Sequence, residues 1–269
     1  MLDGDARSLD EALASHEAAL DRGIQDLVHK LDRARAIRAG LARGRMPANR
    51  ELTRLLGEDG TGVAFNLLWP WGGEWFECRD IRPLNYIIGS LGSGKTRLAM
   101  RLADALPGAA FVGLDRLENA ASAAPRVLRA DPALNARVQH ASAALADAGA
   151  IRSPALIALL AFLDAEGSGA LVVDLIEQDL DEATQRALIA RLRERAEGGA
   201  RPLFLMTRST AILDLSMVGP DEAIILCPAN HSPPSRVAPY RGAPGYEAVE
   251  TCLAPPAVRM RIACRREGV

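Results

Sequence analysis

An α/β fold built on a mostly parallel sheet is what this sequence predicts, and three observations predict it. Strand-like apolar runs alternate with helical periodicity from about residue 84 to residue 230. One such run, Leu84-Asn85-Tyr86-Ile87-Ile88, leads straight into Gly89-Ser90-Leu91-Gly92-Ser93-Gly94-Lys95-Thr96, with the spacing Gly-x-x-x-x-Gly-Lys-Thr. Another, Gly169-Ala170-Leu171-Val172-Val173, ends in Asp174, as a buried parallel strand does when it delivers a carboxylate to its C-terminal edge.

Composition bounds the rest. The chain has 269 residues, of which 49% are hydrophobic, enough for one large domain with an appendage. The net charge of −2 argues against a globally basic nucleic-acid binder but leaves a local basic patch open. Met1-Leu2-Asp3-Gly4-Asp5 is acidic and lacks an apolar core, so no signal peptide is expected. No apolar run reaches the roughly 18 residues of a membrane span, and a cytoplasmic protein is the expectation. Four cysteines without a Cys-x-x-Cys pair read as reduced thiols.

Taken in order, residues 1–58 form an N-terminal helical arm or hairpin. Ser8 and Glu11 make a capping-box pattern. Leu9, Leu13, His16, Leu20, Ile24, Leu27, Leu31 and Ala34 recur at steps of three and four, close to a heptad seam. A helix packed on its own domain and a coiled-coil dimerisation arm both fit. Residues 49–56 read as a second short helix, and Asp59-Gly60-Thr61-Gly62 as the boundary. Residues 63–69 and 74–81 read as two meandering strands before the glycine motif.

The glycine motif has the flanks its chemistry needs: a strand before it and, from Arg97 to Leu106, a helix with apolar residues at i, i+4 and i+7 after it. This is the phosphate-binding P-loop. Gly89, Gly92 and Gly94 let the backbone curl, so that N–H groups along Ser90, Leu91 and Ser93 face one anion. The helix start adds its positive end. Lys95 supplies a charge to the β- and γ-phosphates, and Thr96 a hydroxyl to Mg²⁺. The expected ligands are therefore ATP and Mg²⁺, with Asp174 as the second Mg²⁺ residue, acting through water.

Beyond the P-loop helix, residues 109–114 read as a strand. Residues from about 116 to 165 read as a helical insertion in a core spanning 59–230. Within it, Ser153 and Pro154 set the cap and first position of an apolar helix over 156–163. Residues 181–197 form an amphipathic helix, followed by strands at 202–207 and 223–227.

The run Leu171-Val172-Val173-Asp174-Leu175-Ile176-Glu177-Gln178-Asp179-Leu180-Asp181 resembles the Walker B and D-loop segment of ABC-type ATPases, including SMC and RecF-like heads. Leu180-Asp181 falls at the D-loop distance, and Met206-Thr207-Arg208 occupies the place of the switch histidine. The strands before the P-loop match the same heads. The resemblance implies an ATPase whose head closes on ATP as a dimer, with Asp181 and Ser153 contacting nucleotide. Ser153 lies about where the signature serine would stand. The departures are specific. Leu175 replaces the glutamate that positions water, Arg208 replaces the histidine, and Pro154-Ala155 replace the signature glycines. No Q-loop glutamine follows the strand at 109–114. Weak or regulated hydrolysis follows, with Glu177 as a displaced base or, on the blander reading, a solvated loop carboxylate.

In the C-terminal extension, residues 231–269, Pro239, Pro244 and several glycines predict an irregular chain from 228 to 245. A short helix follows over 246–253, and then a last helix carrying Arg259, Arg261, Arg265 and Arg266. Cys227, His231, Cys252 and Cys264 fit no common zinc module, and buried thiols are expected instead. The expected function is an ATP-dependent dimerising switch within a larger complex, with other proteins, and through the arginine cluster nucleic acid, as partner classes. A P-loop small-molecule kinase and a non-catalytic nucleotide-binding scaffold are the alternatives. No Asn-Lys-x-Asp motif supports a GTPase.

Overall fold

The computed structural model describes residues 62–118 and 120–258, with residues 35 and 38 as isolated positions. The expected N-terminal arm, its heptad seam and the last arginine-bearing helix with Cys264 lie outside the described residues.

A two-stranded antiparallel ribbon comes first, β1 (Val63–Asn66) with β2 (Trp75–Cys78). Six further strands make one sheet: β3 (Leu84–Gly89), β4 (Ala110–Val112), β5 (Leu171–Val173), β6 (Leu203–Met206), β7 (Glu222–Cys227) and β8 (Ser235–Val237). Their spatial order is β4-β5-β6-β3-β7-β8. Every pair is parallel except β7 with β8. The predicted mixed α/β fold with a mostly parallel sheet is therefore the observed one.

Among the described residues the helices are α1 (Lys95–Ala105), α2 (Ala120–Ala130), α3 (Pro132–Asp147), α4 (Pro154–Leu163), α5 (Glu182–Glu197) and α6 (Tyr246–Cys252). Local signals set their starts. Asp131 accepts from the Leu134 amide and Pro132 takes the first turn of α3. Ser153 does the same for α4 through Leu156, and Asp181 for α5 through Thr184. Among the described residues, no helix is long and apolar enough to cross a membrane.

Because successive side chains on a strand point to opposite faces, the sheet builds two cores. Ile87, Val172, Phe204, Met206 and Ile225 face one side, where α1 and the β1–β2 ribbon cover them. Tyr86, Ile88, Val173, Leu205 and Leu226 face the other, under α2 to α5. The strands are paired so that Gly89 lies opposite Cys227, Ile87 opposite Met206, and Val173 opposite Leu205. The loops after β3, β5, β6 and β7 consequently leave from one edge of the sheet. In open α/β sheets this carboxyl edge is where ligands bind.

Two expectations need correcting. The strands before the P-loop are shorter than 63–69 and 74–81. Residues 228–245 are not irregular throughout, because β8 pairs with β7 between Pro234 and Pro239 and buries Val237. A three-residue edge strand flanked by prolines gives no alternating pattern to read.

Candidate functional site

The site begins with the turn from β3 into α1. Gly94 is the residue before the helix and has φ +90, a left-handed conformation open to glycine. A Cβ there would stand 2.6 Å from the Trp71 ring. Gly89 has an ordinary φ but no room, since a Cβ would meet the Cys227 carbonyl at 2.4 Å and the Ser93 hydroxyl at 2.5 Å. The loop is thus clasped between β7 beneath and Trp71 above. No side chain caps the start of α1, and no acid stands in its first turn. The first amides of the helix keep their positive field directed at the loop.

Lys95 is only 6% exposed. Its Nζ donates to the Gly89 carbonyl at 2.8 Å and the Ser90 carbonyl at 2.6 Å. Burial pulls its pKa below the ordinary lysine value, and the nearby Arg208 guanidinium adds to the effect. Both causes favour an anionic partner. Ser93 Oγ is buried with no hydrogen-bond partner, an orphaned polar atom inside the glycine turn. Thr96 is exposed on the first turn of α1, and Leu91 projects 81% exposed from the loop tip.

The acid stands across from the lysine. Burial raises the Asp174 carboxyl above its usual range, while Arg116, Arg208 and Lys95 draw it back down and Glu177 pushes it up. Lys95, Asp174 and Arg208 therefore share one electrostatic neighbourhood. The fold fits a nucleotide triphosphate and its Mg²⁺: a tight glycine turn, an uncapped helix start, a buried lysine, an orphaned serine hydroxyl and a half-buried carboxylate.

The segment from Asp174 to Asp181 is held from several sides. The Asp174 amide donates to Val112 O, and the Ile176 amide to Met206 O. Leu175 has φ +39 and Asp179 φ +59. Glu177 is not a solvated loop carboxylate. It is 3% exposed, and its Oε1 accepts from the Arg208 amide at 3.0 Å. Ser153 and Asp181 are engaged as helix caps, and Thr184 ties their segments together by accepting from the Ile151 amide and donating to Asp181 Oδ2.

Sequence reasoning missed three contributors. Trp71 packs on Gly94, and its Nε1 donates to Ser232 O at 3.2 Å. His231, with φ +59, sets its Nε2 3.1 Å from the Gly92 carbonyl. Arg116 lies in a 3₁₀ turn, Leu114–Leu117, and reaches the acidic segment. The hydrogen bonds that bring them there span 58 to 161 residues, and only the turn residues of 228–234 gave a local signal. Beyond β6, the Ala254 amide donates to Arg208 O and the Thr210 amide to Ala254 O. The chain after α6 therefore runs alongside the arginine. Among the described residues no cluster of three metal-ligating side chains occurs. The Cys227 thiol is buried and pushed up to about 12.

No family model matches the chain, and no curated protein matches it either. Among solved structures it is similar to one described as an inward-facing, metal-chelate type ABC transporter, at 14% identity and a TM-score of 0.41, covering 66% of this chain and 81% of that one. A superposition of that quality carries no functional weight, and the site geometry stands by itself.

Proposed function

We propose that this chain binds ATP with Mg²⁺ and uses the bound nucleotide as a switch, with weak turnover. The observation that carries the reading is the buried Lys95 at an uncapped helix start, on a turn with no room for a side chain at Gly89 or Gly94. Bound Mg²⁺ would supply charge neutralisation at the phosphates. The loop amides from Ser90 to Gly94 bind phosphate oxygens, and Lys95 exchanges its two carbonyl acceptors for an anion. Thr96 and Asp174 are the residues that would hold the metal. Arg208 adds a cation that never deprotonates.

Leu175 stands where a water-activating carboxylate would be needed, so binding outlasts chemistry. Glu177, buried on the Arg208 amide, braces the loop rather than activating water. Nucleotide-dependent pairing of two copies, with Ser153 and Asp181 meeting the partner's nucleotide, belongs to the same proposal, as does action within a larger complex. Titration of a fluorescent ATP analogue against the wild-type chain and Lys95→Ala tests the reading. Losing a charge-assisted phosphate contact worth about 2–3 kcal/mol should weaken binding by roughly 100-fold. Equal affinities in the two chains overturn it. Elution volume with and without ATP and Mg²⁺ tests the pairing, and an unchanged volume removes that part alone.

A further inference from the structure

We propose that Arg116 is a positioning residue of this site: it grips the consecutive carbonyls of Asp174 and Leu175 and so fixes where the Asp174 carboxylate would meet Mg²⁺. The proposal rests on the nucleotide reading above and deepens it.

Arg116 is 7% exposed, although arginine is seldom buried without a purpose for its donors. Its Nη1 donates to the Asp174 carbonyl at 2.7 Å and to the Gly113 carbonyl at 2.9 Å. Its Nη2 donates to the Leu175 carbonyl at 2.7 Å. The planar fork thus spans two consecutive carbonyls of a segment almost sixty residues away, which a lysine ammonium cannot do. These partners are neutral, and the positive charge lies near the carboxylates of Asp174, Glu177, Asp115 and Asp179.

The backbone at the grip is one that leucine does not choose. Leu175 has φ +39, a conformation that costs a side-chain-bearing residue about 1–2 kcal/mol and persists only where its surroundings hold it. Arg116 supplies that hold from the β4 side. The Ile176 amide on Met206 O and Glu177 on the Arg208 amide supply it from the β6 side. Releasing the β4 side lets the Asp174–Leu175 peptide turn back toward negative φ, and the carboxylate turns with it.

The experiment measures affinity for the fluorescent ATP analogue in EDTA and in Mg²⁺, using the full chain. Wild type should bind more tightly in Mg²⁺, and Asp174→Asn should lose that gain. Arg116→Gln and Arg116→Lys should each lose about tenfold of the Mg²⁺ gain, as positioning partners of metal ligands do. Their affinity in EDTA should stay within about twofold of wild type. Adding Arg116→Gln to Asp174→Asn should cost nothing further, because the arginine acts through the aspartate. A full Mg²⁺ gain in Arg116→Lys, or an additive double variant, overturns the proposal. So does loss of the folded state in both single variants, which assigns Arg116 to stability. Lys95-dependent binding with normal Mg²⁺ gain in the variants sinks this proposal alone; no Lys95-dependent binding in wild type sinks the nucleotide reading with it.

Discussion

The loop after β3 and the loop after β5 leave the same sheet edge, and they are held there by different means. Residues 90–94 are shaped by their own backbone: glycines at the two tight points, a helix start immediately behind, and a lysine folded onto carbonyls five and six residues back. Residues 174–181 contain no glycine and carry two left-handed side-chain-bearing residues. Their shape is imposed by Arg116, Met206 and Arg208, which are remote in sequence. A loop of the first kind is written in one stretch of chain, whereas one of the second kind exists only once the sheet has assembled. The phosphate side of the site should therefore tolerate distant change and fail on local change. The acidic side should behave the other way.

The largest effect expected is local. Gly94→Ala and Gly89→Ala each force a Cβ against Trp71 or the Cys227 carbonyl, and each should cost about 3 kcal/mol by denaturant unfolding. Wild-type stability in either variant would mean that the clasp is looser than described. Next comes a cut in the tie between the acidic loop and the strand end that holds it. Glu177→Ala strips the acceptor from the part-buried Arg208 amide and should cost about 2 kcal/mol, with analogue binding in EDTA unchanged. A loss of EDTA binding equal to that in Lys95→Ala would erase the distinction between the two loops.

The distinction was visible before any coordinates. The glycine turn between strand and helix, the strand ending in Asp174, the cap Ser153 and the sheet class could all be read, because each rests on a short spacing or on local periodicity. Arg116, Trp71 and His231 could not be read. An arginine in Leu114-Asp115-Arg116-Leu117 and a tryptophan after Trp69-Pro70 look like surface residues until the topology brings β5 beside β4 and the 228–234 loop beside the P-loop. Glu177 was legible as a residue but not as a buried one, since burial follows from the turn at Leu175, which no local signal announces. β8 escaped because three residues between prolines carry no period.

Two smaller tests sharpen the contrast. Cys227 lies under Gly89 and its thiol is held to about 12 against an ordinary 9.0. Above pH 9 the unfolded thiol ionises while the folded one keeps its proton, so the folded state binds more protons and loses stability as pH rises. That loss should run at about 1.4 kcal/mol per pH unit between the two values. Cys227→Ala should flatten the difference between unfolding free energies at pH 8.5 and pH 10.5, and parallel profiles would place the thiol in a wetter setting. Smallest is Leu175. Glycine there should exceed alanine in stability by about 1 kcal/mol, the reverse of the order at a negative φ. Alanine at least as stable as glycine would deny that the backbone is forced.

The placement of Trp71 also has a photophysical consequence. All three tryptophans of the chain, Trp69, Trp71 and Trp75, fall within seven residues, so the intrinsic emission of the protein comes from a single corner. Trp69 and Trp75 are 74% and 63% exposed and should emit to the red and yield to iodide, whereas Trp71, sealed on Gly94 with its indole N–H on Ser232, should emit to the blue and resist. The blue, quencher-resistant fraction is then a built-in lamp on the glycine turn, reporting rearrangement there without a label.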